Sequence, residues 1–426
     1  MTSGKDRPKD SELLARFRPV FETIRQSAVS RELDRTLLFE QVEWLREHRF
    51  GALRLPVEWG GHGASLVQLF QLLIELGAAE SNLPQSLRLH FHHVEHLMFR
   101  TEWTKQKFWL ERVAQGDLFG NATTEPPDTP IGEIRTKVLP HGDGRYRLNG
   151  RKAYGTGSLY AQWIPVVAVD HQGERITVVV PADRIGVTLV DDWGGFGQRL
   201  TATGTSVFED VVVDADEILG ADKRITRVGG NFPQLVHLAT LAGIAAAAAR
   251  DVTDKVAARR RIYSTGSGDL ARNDPIIQAE VGKINAVARA ARSIVLGAAA
   301  SLDDAWHRWK HDGAYAPTTD EAYVEADIAI SSAQVVLVPL VLGAASQLFD
   351  ALGASAIDAK GALDRHWRNA RAVSSHNPYL YKARRVGGFH LNGTPPPIFV
   401  PGDDVGISPA AEAARSDAFP ASAPWP

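Results

Sequence analysis

The sequence predicts an α+β chain in which a small antiparallel β-barrel domain lies between two helical domains. Three observations carry that prediction. Residues 11 to about 118 place apolar side chains at helical spacing. Residues 119 to about 225 change to short β-branched runs bounded by Gly, Asp and Pro. Residues 232 to 392 return to long helical patterns with short links, as an antiparallel bundle needs. The resulting division is 1–118 helical, 119–231 β, 232–400 helical bundle, and a loose tail over 401–426 that is rich in Ala, Pro, Ser and Asp.

Each element has a local reason. Leu13, Leu14, Phe17, Val20, Phe21 and Ile24 recur on one helix face. The stretch Pro56-Val57-Glu58-Trp59-Gly60-Gly61-His62-Gly63 interrupts the first helical region. Tyr146-Arg147-Leu148 runs into Asn149-Gly150, which reads as a hairpin turn because a type I′ turn needs positive φ at both central residues. Trp163 to Val169, Ile176 to Val180 and Val207 to Val213 supply further strands. Leu235 to Tyr263 is an Ala-rich helix, and Pro275 opens another that ends near His311. Thr318 with Glu321 matches a capping box for a helix reaching about Leu352, with Pro339 placed to kink it.

Composition narrows the function classes. The 426 residues are 44% hydrophobic and 23% charged, in the globular range. Net charge is -3, from 47 basic against 50 acidic residues, which gives no electrostatic case for nucleic acid. There is no cysteine, so disulfides, thiolate nucleophiles and Cys-ligated metal sites are excluded. The start is polar, and the most apolar stretch, Ala333 to Phe349, is short of a membrane span. The reading is a soluble cytoplasmic protein.

Several motifs carry possible chemistry. Gly120-Asn121-Ala122-Thr123-Thr124-Glu125 opens the β region, either as a plain entry loop or as small residues with Asn121 and Thr123 offered to a polar heterocycle. Gly155-Thr156-Gly157-Ser158 can present hydroxyls and backbone amides to a flat ring, or be a turn. Asp191-Asp192-Trp193 among glycines can cover a planar ligand or close one end of the barrel. Arg259-Arg260-Arg261 ends a long helix and is placed to grip a phosphate. Residues 92 to 96 spell His-x-x-Glu-His, the inverted zinc-peptidase pattern, so a metallopeptidase is a competing reading. Asp364-Arg365-His366-Trp367-Arg368-Asn369-Ala370-Arg371, then His376-Asn377-Pro378, sets cations near a helix end with an imidazole nearby.

In this order and spacing the motifs resemble the acyl-CoA dehydrogenase superfamily, and within it the flavin-dependent monooxygenase branch of the dibenzothiophene monooxygenases and sulfur-acquisition oxidoreductases. The likeness runs from Glu58-Trp59-Gly60-Gly61 to His390-Leu391-Asn392-Gly393. It implies a helical domain, a β-barrel domain and a C-terminal four-helix bundle, assembled as a homotetramer. It also implies reduced FMN or FAD delivered by a separate NAD(P)H:flavin reductase. Oxygen then adds at the flavin C4a carbon and one atom passes to a small substrate, an organosulfur compound or an amine.

By the same resemblance, Asn121 and Trp193 line the flavin, with Thr123, Ser158, Arg368 and Asn369 as further binding residues. Thr156 falls near the oxygen-reacting region, and Arg261 grips flavin phosphate, across a subunit interface. His92 and His376 face the reactive centre, His376 as general acid–base. Val373 and Ser355 stand where close relatives carry histidine and arginine. A true acyl-CoA dehydrogenase is the rival inside the fold, but it needs a carboxylate base where this chain reads Ser375-His376-Asn377-Pro378-Tyr379. A flavin-free scaffold is the non-catalytic alternative.

Overall fold

Helices α1 (Asp10–Gln26), α2 (Ala28–Asp34), α3 (Phe39–Glu47), α4 (Leu66–Ala79), α5 (Asn82–Phe99) and α6 (Trp103–Gln115) make up the first region. The computed structural model describes residues 8–99, 103–130, 132–219, 228–313 and 316–396; the tail expected over 401–426 lies outside them. The α1 face predicted from spacing is the buried one, with Leu13, Phe17, Val20, Phe21 and Ile24 inside. Ser65 caps α4: its hydroxyl accepts from the Gln68 amide while the Gln68 side chain reaches back. Residues 56–63 form the expected break, a short 3-10 turn over Val57–Trp59 followed by Gly60 at positive φ.

Strands β1 (Lys137–Gly142), β2 (Arg145–Lys152), β3 (Trp163–Val169), β4 (Arg175–Pro181), β5 (Val187–Leu189) and β6 (Ser206–Val213) form a single curled sheet in the order β4-β3-β1-β2-β6-β5. The expected antiparallel barrel is corrected in two respects. β1 and β3 pair in parallel, since β2 intervenes in sequence and both then run the same way. β4 and β5 are the outer strands of the ladder and do not pair with each other.

The predicted Asn149-Gly150 hairpin is also corrected. The turn between β1 and β2 is Asp143-Gly144, with φ of 51° and 73°. Asn149 and Gly150 lie within β2, at a bulge opposite β6. The Asn149 amide is engaged there with Asp210, donating to Oδ1 at 3.1 Å and accepting from the backbone N–H at 2.8 Å. Gly150 is required because a Cβ would stand 2.5 Å from Thr136 Oγ1. Either dipeptide suits a type I′ turn; the pairing of β2 with β6 past Gly150 decided between them.

Helices α7 (Val228–Ala258), α8 (Pro275–Asp312), α9 (Pro317–Leu352), α10 (Arg365–Ser374) and α11 (Tyr379–Asn392) complete the chain. α7 begins four residues before the predicted boundary, and Arg259 to Arg261 lie beyond its end. Asp274 caps α8 ahead of Pro275, accepting from the Ile276 amide at 2.8 Å. The capping box expected at Thr318 is absent: Ala316 is the cap, Pro317 starts α9, and Thr318 Oγ1 donates to Asp312 at 2.7 Å. Pro339 lies inside α9 as expected.

α7 is the central element, packed on α4, α5, α8, α9 and α10. α7 and α9 are both long and apolar enough to cross a membrane, so the sequence reading of Ala333 to Phe349 as too short took only part of α9. The most apolar window of α7 is 94% buried inside the fold, which makes it a core helix.

Candidate functional site

Three elements bring polar side chains to one place in an otherwise apolar interior. On α5, Gln85, Arg88 and His92 follow at i, i+3 and i+7 and share a face. α7 contributes His237, and the segment just past α10 contributes His376. Arg88 Nη2 lies 3.3 Å from His376 Nε2, and the His237 and His376 ring centroids are 4.4 Å apart. A guanidinium can only donate, so His376 Nε2 is the acceptor and its proton belongs on Nδ1. Asn377 holds this segment in register: its Nδ2 donates to Gln234 Oε1 at 2.9 Å, and its carbonyl accepts from Gln334 Nε2 at 3.2 Å.

His376 is solvent-accessible, with Arg88 and His237 packed against its ring. Burial first, and then the Arg88 charge, lower its pKa below the ordinary histidine value. It is a neutral imidazole at pH 7. Burial likewise lowers His92 and His237, and brings Arg88 down to about 10.

The β-domain loops meet α5 one turn earlier. Ser86 Oγ is shared between the Asn82 and Thr201 carbonyls, and the Ser86 carbonyl lies where a Cβ on Gly157 would be, at 2.2 Å. Gly157 also sits at φ 78°, so this contact needs glycine twice over. Ser158 Oγ accepts from the Asn121 amide at 3.0 Å and donates to its carbonyl at 2.8 Å. Thr123 Oγ1 donates to Asn121 Oδ1 at 2.7 Å. Ser158 and Thr123 therefore orient Asn121, leaving its Nδ2 as the outward donor. Thr156 Oγ1 accepts from Thr203 Oγ1 at 3.0 Å, and Thr203 contacts Thr201 at 2.7 Å.

The Asp191-Asp192-Trp193 loop is held from several sides. Asp191 forms a bidentate pair with Arg35 at 2.8 and 2.9 Å, and Asp192 accepts from Thr205 N and Oγ1. Trp193 Nε1 donates to Gly197 O at 3.0 Å, and its ring meets Tyr154 edge-on at 6.3 Å. α10 clamps the far end. Asn369 Oδ1 accepts from Gln198 N at 2.6 Å, and Arg368 Nη1 donates to Phe196 O at 2.9 Å and pairs with Glu32 at 2.7 Å, its Nε engaging Asp364 at 2.7 Å. α10 is itself tied to α7 through Asp251, which accepts from Arg365 at 2.6 Å and His366 at 2.9 Å.

The His90 to His96 stretch divides its labour. His90 Nε2 donates to Gly51 O at 3.0 Å, and its Nδ1 accepts from Phe119 N at 3.1 Å, so the ring joins the first helices to the start of the β region and must be neutral. Glu95 forms a buried bidentate pair with Arg54, at 2.6 and 3.4 Å. The His-x-x-Glu-His pattern thus has its carboxylate occupied elsewhere. Among the described residues no three His, Cys, Asp or Glu side chains converge as a metal would require.

Burial lowers the His90 pKa to about 4. The unfolded chain, with an ordinary histidine, binds more protons between that value and pH 6.5, so stability must fall as pH falls through this window. His90→Gln is expected to flatten that loss by about 2 kcal/mol between pH 7 and pH 5, the part of the shift's worth that falls in this range. Urea midpoints at pH 7, 6 and 5 check it; parallel slopes for wild type and variant would contradict it.

Comparison with known proteins places this geometry. A family model described as acyl-CoA dehydrogenase, C-terminal domain, matches residues 235–379. Dibenzothiophene monooxygenase of Rhodococcus erythropolis is 27% identical over 402 residues, covering 91% of this chain and 95% of the relative. FMN-bound TdsC from a Paenibacillus species superposes with a TM-score of 0.82 at 26% identity, over 92% of this chain and 99% of the other. The methanesulfinate monooxygenase MsuC of Pseudomonas fluorescens gives 0.81 at 27%, over 92% and 98%. Over nearly its whole length the chain is similar to monooxygenases of the acyl-CoA dehydrogenase fold. The relatives named here are monooxygenases.

The structure brings some of the expected site residues together and leaves others apart. His376 and His92 both neighbour Arg88. Asn121, Thr123, Thr156, Ser158 and Trp193 line the loops beside α5, whereas the hydroxyls of Thr123 and Ser158 and the Trp193 N–H are engaged within the protein. Arg368 and Asn369, expected to bind the cofactor, hold the Trp193 loop by their own hydrogen bonds, and the Arg368 side chain also engages Glu32, Asp364 and Phe196 O. Arg261 is exposed beyond α7 and takes part in none of these contacts. Val373 is buried and apolar, and Arg88 and His237 supply the nitrogen groups beside His376. Sequence reasoning missed both. The available signal was a lone Arg between Leu87 and Leu89 and a lone His in Leu235-Val236-His237-Leu238, each a polar break in an apolar helix.

Proposed function

We propose that this chain is the oxygenase component of a two-component monooxygenase that uses reduced FMN and O2 on a small organosulfur compound. One observation carries the choice within the superfamily. Among the described residues, no Asp or Glu contributes to the electrostatic surroundings of Arg88, His237 or His376. A dehydrogenase must remove an α-proton with a carboxylate, and this site offers only nitrogen bases. The site residues fit a reduced flavin: a small-residue cradle at Gly120-Asn121-Ala122, where a Cβ on Gly120 would stand 2.8 Å from Ser158, and a fixed indole at Trp193. FMN as cofactor rests on TdsC, whose solved structure binds it.

When bound, the reduced flavin supplies two electrons and the centre at which O2 reacts, so that one oxygen atom enters the substrate and the other leaves as water. In this reading Asn121 Nδ2 and Thr156 hold the ring's polar edge, Trp193 covers a face, and His376 Nδ1–H donates a hydrogen bond on the reacting side. Neutral His376 manages the proton there without adding positive charge. Arg261 is assigned to the flavin phosphate of a neighbouring copy in a homotetramer, a role its exposed place beyond α7 supports. The three-domain division is kept: the break between α6 and the strands supports the boundary at residue 118, and the start of α7 at residue 228 supports a second boundary slightly before the expected 231. A flavin reductase is the partner. The substrate is an organosulfur compound because relatives carry such names, one uncharged (dibenzothiophene) and one anionic (methanesulfinate).

The test is single-turnover reaction of reduced FMN and O2 in the presence of a panel of sulfides, sulfoxides and sulfinates, scoring oxygenated product against hydrogen peroxide. Product that rises with substrate is expected. Reduction of bound flavin by an acyl-CoA thioester without oxygen would overturn the reading in favour of a dehydrogenase.

A further inference from the structure

Arg88 is a cation that the fold has buried without a counter-ion. It is 6% exposed, and among the described residues no carboxylate reaches its guanidinium. The other two arginines of comparable burial follow the opposite rule, Arg31 meeting Glu80 and Arg54 meeting Glu95. Arg88 Nε has no hydrogen-bond partner, and Nη2 faces only the neutral Nε2 of His376. An uncompensated buried charge is destabilising, so a chain that keeps one needs a reason for it.

The neighbours are similarly unfinished. Gln85 Oε1 one turn earlier on α5, His92 Nδ1 one turn later, and both ring nitrogens of His237 on α7 are buried with no partner. Water can complete neutral groups of this kind. Water cannot neutralise the charge. What completes the cation is a ligand with a compact negative group of two or more oxygens, which the guanidinium fork grips directionally with imidazole N–H groups as further donors, while Gln85 Oε1, an acceptor, is left to water.

We propose that Arg88 is the receptor for an oxyanion on the substrate, so that the compound oxidised is a small organic anion and not a neutral sulfide. The inference rests on the oxygenase reading for the word substrate and deepens it. Among the common organic oxyanions (carboxylate, phosphate, sulfate, sulfonate and sulfinate), a sulfinate is the one whose charged group itself carries an oxidisable lone pair. Sulfinate plus one oxygen atom of O2 gives sulfonate, and the second oxygen leaves as water with two electrons and two protons from the reduced flavin. His376, in contact with Arg88, then stands beside the reacting sulfur. FMN is the rival claimant for the cation, through its phosphate, and the test separates the two.

The test is titration calorimetry of the flavin-free protein with ethanesulfinate and with the uncharged ethyl methyl sulfoxide, on wild type, Arg88→Gln and Arg88→Lys, with FMN affinity measured in parallel. Wild type is expected to prefer the anion by about ten-fold or more, as loss of one charge-assisted contact implies. Arg88→Gln should erase that preference, Arg88→Lys should keep part of it, and FMN affinity should stay within about two-fold. Circular dichroism confirms that the variants are folded; should the Gln variant fail, the Lys variant must still show weakened but real anion preference. Equal wild-type affinity for the two compounds, or a fall in FMN affinity in place of sulfinate affinity, would overturn the assignment. Oxygenation of neutral sulfides with no preference for sulfinates would sink this inference alone. Failure to oxygenate any organosulfur compound would sink the proposed function and leave the binding result to judge Arg88.

Discussion

Replacing His376 by alanine is expected to cut oxygenated product by about a hundred-fold or more, the usual worth of a positioned acid–base group. Oxygen consumption should continue, and hydrogen peroxide should take the place of product. The argument is geometric. His376 Nε2 is the acceptor facing Arg88 at 3.3 Å, which leaves Nδ1–H as the one hydrogen the ring can direct. Asn377, anchored to Gln234 on α7 and accepting from Gln334 on α9, fixes the segment that carries it. FMN affinity should change little, since no cradle residue touches His376. The pH profile carries a second reading of the same arrangement. With its pKa lowered by burial and by Arg88, His376 stays neutral well into acid, so coupling should hold through pH 6 and fail only below the ordinary histidine range. A midpoint at or above pH 6.5, or wild-type coupling in the alanine variant, would remove His376 from the chemistry.

Glu95→Gln is expected to be among the most damaging single changes to stability, by about 3–5 kcal/mol, because it leaves a buried guanidinium without its counter-charge. The Arg54–Glu95 side chains are 4% and 2% exposed. Arg54 also donates to the Ala64 carbonyl and lies 4.9 Å from the Trp306 ring centroid, so it has no route to solvent once Glu95 is neutral. The pair joins α5 to the break before α4 and to α8, three elements that frame the site. The measurement is the urea midpoint and slope at pH 7. A loss below about 1 kcal/mol would mean that the pair is weakly coupled to folding. The same experiment separates the competing metal reading, in which Glu95 serves chemistry and its amide variant keeps full stability.

The residue pattern reached the fold further than the site. Helical spacing on α1, the Gly/Pro break at 56–63, the Pro275 helix start and the switch to β-branched runs near residue 119 are local signals, and each element formed where its signal stood. Asn149-Gly150 misled because its dipeptide preference is satisfied equally by a turn and by a bulge, and only the β2–β6 pairing distinguishes them. Thr318 misled because a hydroxyl at a helix start has partners other than its own amides, here Asp312. In the site, Asn121, Thr156, Trp193 and His376 were legible as motifs among turn residues. Arg88 and His237 were not, since each is a single polar residue inside an apolar helix and its meaning depends on what faces it.

By itself the sequence determined which segments are helix and strand, the order of those segments, and the absence of thiol chemistry, all properties of neighbours along the chain. Tertiary structure alone decided which polar side chains lost their water together. Glu95 and Arg54 are 41 positions apart and Arg88 and His376 are 288 apart; one cation met a carboxylate and the other met none. Charge in an interior is governed by distance and dielectric, not by position in the chain, and so the fold had to be known before Arg88 could be read.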